Sequence, residues 1–327
     1  MRPEISVCIP VYKVEEYLTR CLDSVLGQSY QDFEIVCVND ASPDGSPAIL
    51  REYAARDGRI RIVDKPRNEG LMMARKTGYQ EARGQYVFFL DSDDFLPENA
   101  LGDLYSKAKE TGAEIVFGYY ERINANGHRA LIPRHRGFDV HDTVSLLHST
   151  FHGSTTTVWG ALFDRSLFDG QEYTAFMNHG LSEDRVLLTE VLLRCHPRVA
   201  VAPVVTYYYW SNETSITGVR LTHKALVEQF RALYHSYEAI CSGCPELIDD
   251  NRHFLTRTLS YYIESGVSHR EIKEINPINR ELLRFGEMRR NVGLRLAVHT
   301  WMSMYVPGYS RLTHAARHAI RRVQGKE

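Results

Sequence analysis

Apolar and polar positions follow two kinds of periodicity along the amino-terminal part of the chain. Short apolar runs predict strands, and they lie at 5–10, 33–40, 59–65, 86–91 and 114–123. Between them, apolar side chains recur at the spacing of amphipathic helices, at 15–29, 42–58, 68–84 and 97–112. This alternation predicts an α/β fold with a mostly parallel, twisted sheet covered by helices.

The pattern changes after this region, because residues 120–140 are polar and read as an excursion. The pattern then predicts a helix at 142–150, a tryptophan-bearing segment at 155–168, a helix at 182–194 and strands at 199–203 and 206–210. Beyond about Ser215 the pattern is helical, and it ends basic. We therefore predict an α/β domain at 1–220 and a helical C-terminal region at 221–327.

The composition excludes some classes of protein. The 327-residue chain is 43% hydrophobic and 24% charged, which is ordinary for a globular protein, and its net charge of -2 gives no basis for nucleic-acid binding. It has no apolar run of about 18 residues, which a membrane-spanning helix needs. The first residues also lack the apolar core of a signal peptide, so the six cysteines are predicted to be reduced thiols.

An acidic cluster, Asp91, Asp93 and Asp94, directly follows the apolar run of the fourth predicted strand. Ligands of parallel sheets gather at the carboxyl ends of the strands. Asp91 and Asp93 are two positions apart, so on an extended chain their side chains point the same way. Such a pair suits Mg²⁺ or Mn²⁺, with substrate phosphates completing the metal's ligands. The alternative interpretation is a solvated acidic turn.

Several motifs occur together between Ile5 and Thr217. They are "SVCIPVYKVEEYLTRCLDSVLGQSYQDFEIVCVNDASPDGS", "NEGLMMARKTGYQEARGQYVFFLDSDD", "VWGALF", "LSEDRVLL" and "YYYWSNETSIT". Through these motifs the sequence resembles family 2 glycosyltransferases, the inverting enzymes with the GT-A fold.

The resemblance implies a site for a nucleotide sugar. It places the donor against Pro10, Tyr12, Asp40, Arg75, Asp91 and Ser92. Pro10 and Tyr12 would flank the base, Asp40 would accept a hydrogen bond from uracil, and Arg75 would face the donor. Taken alone, Tyr12 could instead be a tyrosine at the edge of the core, Asp40 a turn residue and Arg75 a surface arginine.

The resemblance also implies a metal and a base. Asp91 would reach the ribose and, with Asp93, bind Mn²⁺ or Mg²⁺, while Asp94 would help to place the metal or hold the loop. Asp184 of the "SEDR" motif would be the general base that removes the proton of the acceptor hydroxyl. The same motif is also a good helix start, with Ser182 as the N-cap.

Two departures from the family pattern affect polar contacts. The family often has a lysine two positions after the tryptophan, where this chain has Ala161, and arginines where it has Trp210 and Asn212. Contacts to the pyrophosphate or the acceptor through these positions are therefore in doubt. Trp159 is either a stacking platform for the acceptor or a core residue.

The implied reaction is metal-dependent, inverting transfer of a sugar, with UDP-sugar as the expected donor, to a hydroxyl of a saccharide or lipid-linked acceptor. The setting implied is synthesis of a cell-surface polysaccharide, in the cytoplasm or on the inner face of the plasma membrane. One alternative is an inactive, glycosyltransferase-like scaffold subunit. A sugar nucleotidyltransferase is disfavoured, because no glycine-rich loop follows the first strand.

The C-terminal tail, 310–327, combines an alanine-rich apolar stripe with five basic residues and one acid. Upstream of it, Trp301 and Tyr305 are residue types that suit a membrane interface. A basic amphipathic helix of this kind predicts peripheral contact with anionic lipid. Alternatively, the tail packs on the catalytic domain or on a second subunit of a homo-oligomer.

Overall fold

The computed structural model describes residues 2–135, 140–151, 156–174, 182–211, 223–264, 282–306 and 309. The strands are β1 (Ile5–Val11), β2 (Phe33–Asn39), β3 (Ile60–Asp64), β4 (Tyr86–Phe89), β5 (Ile115–Asn124), β6 (Arg129–Ile132), β7 (Val140–His141), β8 (Ala161–Asp164) and β9 (Val199–Ser211). The helices are α1 (Glu15–Leu26), α2 (Ser46–Arg56), α3 (Leu71–Glu81), α4 (Ala100–Thr111), α5 (Thr143–Phe151), α6 (Glu183–Cys195), α7 (His223–Gly243), α8 (Ile248–Glu264) and α9 (Phe285–Tyr305).

The described strands form one mixed sheet in the order β3-β2-β1-β4-β8-β5-β9-β7, with β6 paired to β5. The half built from β1 to β4 is parallel, as predicted, and the carboxyl ends of β1, β2 and β4 lie at one edge. Every residue of β1 and β2 is buried, which explains why most of their residues are apolar. This half of the sheet therefore positions the predicted strand-end residues next to one another.

The other half of the sheet departs from the mostly parallel prediction. β8 lies antiparallel between β4 and β5, and β6 forms a hairpin with β5 inside the segment read as a polar excursion. The two predicted strands around Pro203 are one strand, β9. Its pairing with β5 passes from Ala202 directly to Val205, so Pro203 and Val204 sit in a bulge where the missing N–H of proline is tolerated.

Contacts divide the chain into two units, one of Met1–His179 with Glu183–Arg220, the other of Gly180–Ser182 with Leu221–Glu327. In the second unit, α7, α8 and α9 pack around a buried core that includes Phe230, Leu259 and Met288. α9 is interrupted at Gly293, whose φ is 80°. Among the described residues, no helix is long and apolar enough to cross a membrane. The predicted basic tail, 310–327, lies outside the described residues. The helix that precedes it, α9, is described.

Candidate active site

The ends of β1 and β2 bring Tyr12 and Asp40 together. The backbone N–H of Asp40 donates to the carbonyl of Val11 at 3.0 Å, so Asp40 lies beside the residue that precedes Tyr12. The Tyr12 ring is 39% exposed, and Nζ of Lys13 lies 5.4 Å from its centroid. The interpretation of Tyr12 as a residue of the core edge is therefore disfavoured, because its ring faces solvent at a strand end.

Asp40 is buried and holds the start of α3. Its carboxylate accepts hydrogen bonds from the backbone N–H groups of Glu69, at 3.0 Å, and Gly70, at 2.8 Å. Nζ of the buried Lys65 lies 3.1 Å from the same carboxylate and 2.8 Å from that of Glu69. A nucleobase would have to share Asp40 with these partners. The predicted contact with uracil stays a prediction.

Pro10 and Ser92, also expected at the donor, do not present open side chains. Pro10 is buried inside β1, opposite Val38 of β2. Ser92 is buried after β4. Their expected contacts with the donor stay a prediction.

The acidic cluster forms a turn rather than an extended strand end. β4 ends at Phe89, and the backbone N–H of Asp94 donates to the carbonyl of Asp91 at 3.0 Å. The premise that Asp91 and Asp93 lie on an extended chain is therefore wrong. Burial nevertheless alternates, because Asp91 and Asp93 are partly exposed whereas Asp94 is buried.

Asp94 ties this turn to β9. One carboxylate oxygen accepts from the hydroxyl of Tyr207, and the other accepts from the backbone N–H of Trp210, both at 2.7 Å. The Tyr207 hydroxyl also accepts from the backbone N–H of Asp91 at 3.2 Å. Burial, followed by the charges of Asp93 and Asp91, raises the pKa of Asp94 well above its usual value. Of the two roles expected of Asp94, these contacts favour holding the loop.

Arg20 supports the same turn from α1. Its Nη2 donates to the backbone carbonyl of Asp93 at 2.9 Å. Its guanidinium lies between the rings of Phe95 and Trp210, at 4.4 and 4.3 Å from their centroids. Trp210, which departs from the family pattern, thus packs on a cation instead of supplying one.

Arg75 connects the acidic turn to the predicted base. Its Nη2 donates to Oδ1 of Asp91 at 2.7 Å, and its Nη1 donates to Oδ1 of Asp184 at 2.6 Å. The Arg75 side chain is 1% exposed, so the surface-arginine interpretation is wrong. Burial disfavours the charged form, but the charges of Asp91 and Asp184 outweigh it and raise the pKa of Arg75. Arg75 therefore stays charged and holds two carboxylates at one site.

Asp184 lies in the first turn of α6, as the sequence predicts. Its second oxygen, Oδ2, accepts from the backbone N–H of Val158 at 3.3 Å. Burial raises the pKa of Asp184, and the Arg75 charge opposes that shift. Burial, followed by the charge of Asp184, also raises the pKa of Glu183 to about 7. Two adjacent carboxylates thus have raised proton affinity, which is the property of general bases working near neutral pH.

The helix start itself differs from the prediction for Ser182. This residue has a φ of 71°, in the left-handed region, whereas an N-cap residue has extended backbone. Its Oγ accepts a hydrogen bond from Nε2 of Gln229 at 3.1 Å. Strained backbone next to a candidate catalytic residue is a recurrent feature of active sites.

Trp159 packs as a core residue. It is 8% exposed and stacks on Tyr207 and Tyr209, with ring centroids 4.6 and 5.5 Å away. Gly160 permits this packing, because a Cβ there would lie 2.7 Å from Cδ2 of Tyr207. The interpretation of Trp159 as an open platform for the acceptor is therefore disfavoured.

Arg134, which sequence reasoning missed, lies beneath this aromatic cluster. It is fully buried, its guanidinium lies 4.6 Å from the Trp159 ring centroid, and its Nη2 donates to the Trp159 carbonyl at 3.0 Å. Its Nε and Nη1 have no hydrogen-bond partner among the residues that the structure describes, and burial lowers its pKa to about 10. Arg134 follows β6 in the polar excursion, where no sequence signal distinguishes it from solvated arginines.

The residues present fit a hard divalent cation that is shared with substrate. In the described part of the chain, no group of three or more histidine, cysteine, aspartate or glutamate side chains is arranged to hold a metal ion. Mg²⁺ usually takes only one or two carboxylates and completes its ligands with water and phosphate oxygens. Asp91 and Asp93, both partly exposed at the acidic turn, provide such a pair.

Comparison with known proteins identifies the family of the chain. The model of glycosyl transferase family 2 matches residues 6–169, half of the chain. Glycosyltransferase GlyA of Streptococcus pneumoniae is 36% identical over 201 residues, 58% of this chain and 28% of GlyA. Poly(ribitol-phosphate) beta-glucosyltransferase of Bacillus spizizenii is 31% identical over 209 residues, 63% of this chain and 32% of that protein. The chain thus spans about a third or less of these two relatives.

Solved structures resemble the chain over nearly its whole length. S. aureus TarS 1-349 in complex with UDP has a TM-score of 0.64 at 17% identity and covers 97% of this chain and 92% of its own. A mannosyltransferase from Pyrobaculum calidifontis, in complex with GDP-Man and Mn²⁺, has a TM-score of 0.53 at 17% identity over 92% and 87% of the chains. At this identity the likeness shows the fold, and the predicted GT-A fold is confirmed.

Proposed function

The chain belongs to glycosyl transferase family 2, and we propose that it is an inverting glycosyltransferase that uses a nucleotide-diphosphate sugar. The proposed donor is a UDP-sugar, and the proposed acceptor is a hydroxyl of a saccharide or of a lipid-linked saccharide. Its products would enter a cell-surface polysaccharide. The bound UDP of TarS supports the donor class, and the relative that glucosylates poly(ribitol phosphate) supports a surface-polymer acceptor.

One observation carries the proposal, namely the bridge that Arg75 makes between Asp91 and Asp184. Asp91 belongs to the turn expected at the donor, and Asp184 is the expected base. An inverting transferase needs a carboxylate on the side of the anomeric carbon opposite the leaving group. There it can accept the proton of the attacking hydroxyl. A single buried guanidinium that fixes both carboxylates holds them at a constant separation.

Asp184 would accept the proton of the acceptor hydroxyl while that oxygen attacks the anomeric carbon. The raised pKa that burial gives this carboxyl makes it a stronger base than an exposed aspartate. The Arg75 and Val158 contacts orient its two oxygens. Inversion follows because one displacement takes place, from the face opposite the leaving nucleotide.

A divalent ion, Mg²⁺ or Mn²⁺, would be held by Asp91 and Asp93 together with the donor phosphates. When bound, it would supply positive charge to the leaving diphosphate. The Mn²⁺ complex of the mannosyltransferase supports the choice of ion. The proposed place of action is the cytoplasm or the inner face of the plasma membrane, where a lipid-linked acceptor would be met.

Product release from purified protein tests the proposal. The protein is incubated with UDP-glucose, UDP-N-acetylglucosamine, UDP-galactose and GDP-mannose, each with Mn²⁺ or with chelator, and released UDP or GDP is measured. We expect metal-dependent release of UDP from one UDP-sugar, and a product whose anomeric configuration, read by NMR, is opposite to that of the donor.

Other outcomes would contradict parts of the proposal. Turnover of GDP-mannose alone would overturn the uracil assignment. Formation of UDP-sugar from UTP and a sugar 1-phosphate would indicate a nucleotidyltransferase. Failure of every donor, with UDP still bound, would favour the inactive scaffold.

A further inference from the structure

The carboxyl-terminal half of α9 carries an apolar stripe on its exposed surface. Leu294, Val298, Trp301 and Tyr305 follow one another at intervals of four, three and four residues, the spacing of one helix face. Their exposed fractions are 56%, 42%, 40% and 52%. We call these four residues the α9 stripe.

The stripe is continuous rather than a scatter of single apolar residues. Between Leu294 and Tyr305 five residues are exposed, and Arg295 is the one that is not apolar. The inner face of the same helix is buried at Ala297 and Thr300, so the helix is already packed against its own unit. Single exposed leucines need no explanation, but a row of four large apolar residues marks an interaction surface.

The charged residues of α9, together with Arg284, which precedes it, are mostly positive. Arg284, Arg289 and Arg295 are exposed. Glu287 is the single acid of α9, and it is paired with Arg290. α9 therefore combines an exposed apolar stripe with a net positive charge.

The order of residue types along the stripe suits a lipid surface. The aliphatic side chains occupy its start, and the aromatic pair, Trp301 and Tyr305, occupies its end, with ring centroids 5.3 Å apart. Tryptophan and tyrosine favour the headgroup level of a bilayer, because their rings are apolar while their N–H and O–H groups stay hydrated. Arginines beside an apolar face are attracted to anionic lipid.

We propose that the α9 stripe docks the protein on the surface of an anionic phospholipid membrane. α9 would lie in the plane of the interface, with its apolar face among the headgroups and upper acyl chains. A second copy of the chain fits less well, because a two-fold contact through α9 would bring two helices of net positive charge together. This inference is independent of the sugar and of the donor proposed above.

Co-sedimentation of the full chain with vesicles tests the proposal. Vesicles of phosphatidylcholine with phosphatidylglycerol are compared with vesicles of phosphatidylcholine alone, at low and high salt. The test variant is Leu294→Ser with Val298→Ser. The matched control is Leu131→Ser with Val204→Ser, which removes the same residue types at 51% and 42% exposure from the other unit.

We expect the wild type and the control to bind the anionic vesicles equally, more weakly at high salt. The test variant should bind about tenfold less or weaker still, because two apolar side chains no longer enter the interface. Trp301 supplies a second readout. Its fluorescence should shift to shorter wavelength with anionic vesicles and be quenched by brominated lipid, and Trp301→Phe should remove most of that signal.

Three outcomes would overturn the proposal. Equal binding by the test and control variants would place the lipid contact elsewhere, for instance in residues 310–327. A wild type that ignores vesicles but becomes monomeric on substitution of the stripe would identify a second copy as the occupant. A wild type that neither binds vesicles nor self-associates would leave the stripe without a partner. Thermal unfolding and donor hydrolysis, measured in parallel, separate these results from misfolding and from failure of the transferase assignment.

Discussion

Replacing Arg75 by methionine should destabilise the fold in a pH-dependent way. The change removes one guanidinium that two carboxylates share, those of Asp91 and Asp184, at 2.7 and 2.6 Å. Methionine fills similar space and keeps helix propensity, so the main loss is electrostatic. What remains is a pair of nearly buried carboxylates without their cation.

The burial of the three groups sets the magnitude. The Arg75 side chain is 1% exposed, and those of Asp91 and Asp184 are 21% and 15% exposed, so solvent screens the pairs only weakly. Removing one partner of a buried ion pair costs about 3–5 kcal/mol. Since a domain of ordinary stability has about 5–15 kcal/mol, the variant should fold at low temperature and unfold at clearly lower urea concentration.

The pH dependence follows from Asp184. Burial already raises its pKa, and Arg75 opposes that shift, so its pKa should rise further in the variant. A carboxyl whose pKa is higher in the folded than in the unfolded state loses stability as pH rises through the folded pKa. The deficit of the variant should therefore shrink on acidification, by at most about 1.4 kcal/mol per pH unit for each carboxylate.

Urea unfolding at about pH 7.5 and about pH 5 measures both effects. Lys76→Met is the matched control, because it removes the positive charge of the next residue of α3. The ion-pair partner of Lys76, Glu172, is 85% exposed. It should cost about 0–1 kcal/mol, as surface ion pairs do. Equal losses for Arg75→Met at the two pH values would refute the electrostatic account and indicate a packing defect.

Three further substitutions test individual residues. Asp93→Ala should abolish metal-dependent turnover with little change in thermal stability, because its side chain is partly exposed; transfer at the wild-type rate would exclude Asp93 from the metal site. Asp184→Asn should lower the transfer rate by about 10²-fold or more, while its affinity for UDP, measured by calorimetry, stays nearly constant. The transfer rate of the wild type should rise with pH as Asp184 loses its proton. A parallel loss of UDP affinity would indicate a structural role. Tyr207→Phe should cost about 1–3 kcal/mol in urea unfolding, since Asp94 loses a buried donor; an unchanged midpoint would show that the hydroxyl does not hold the turn.

Local pattern predicted the parallel half of the sheet well, for a physical reason. β1 and β2 are buried on both faces, so most of their residues are apolar, and such runs are easy to recognise. The insertion of β8 between β4 and β5 could not be predicted, because the order of strands depends on long-range pairing. β6 was missed because it has only four residues, and these alternate between exposed and half-buried positions inside a polar segment.

The candidate site shows the same division between local and long-range information. The exposure of Tyr12 and the position of Asp184 at a helix start follow from local sequence. The role of Arg75 does not, because its two partners are 16 and 109 positions away along the chain. Arg134 was missed for a related reason, since nothing in its neighbourhood of sequence indicates that the fold buries it.

The charges at this edge of the sheet favour dependence on a cation. Two buried positive groups there are already engaged in ion pairs, Arg75 with Asp91 and Asp184, and Lys65 with Asp40. A nucleotide diphosphate would bring further negative charge to an edge where these two cations are already paired with carboxylates. Coulomb repulsion in a partly desolvated site would then oppose binding of the donor. The partly exposed carboxylate of Asp93 adds to this repulsion unless a divalent ion lies between it and the phosphates. The charges of the protein itself are therefore a physical reason to expect a metal at this site.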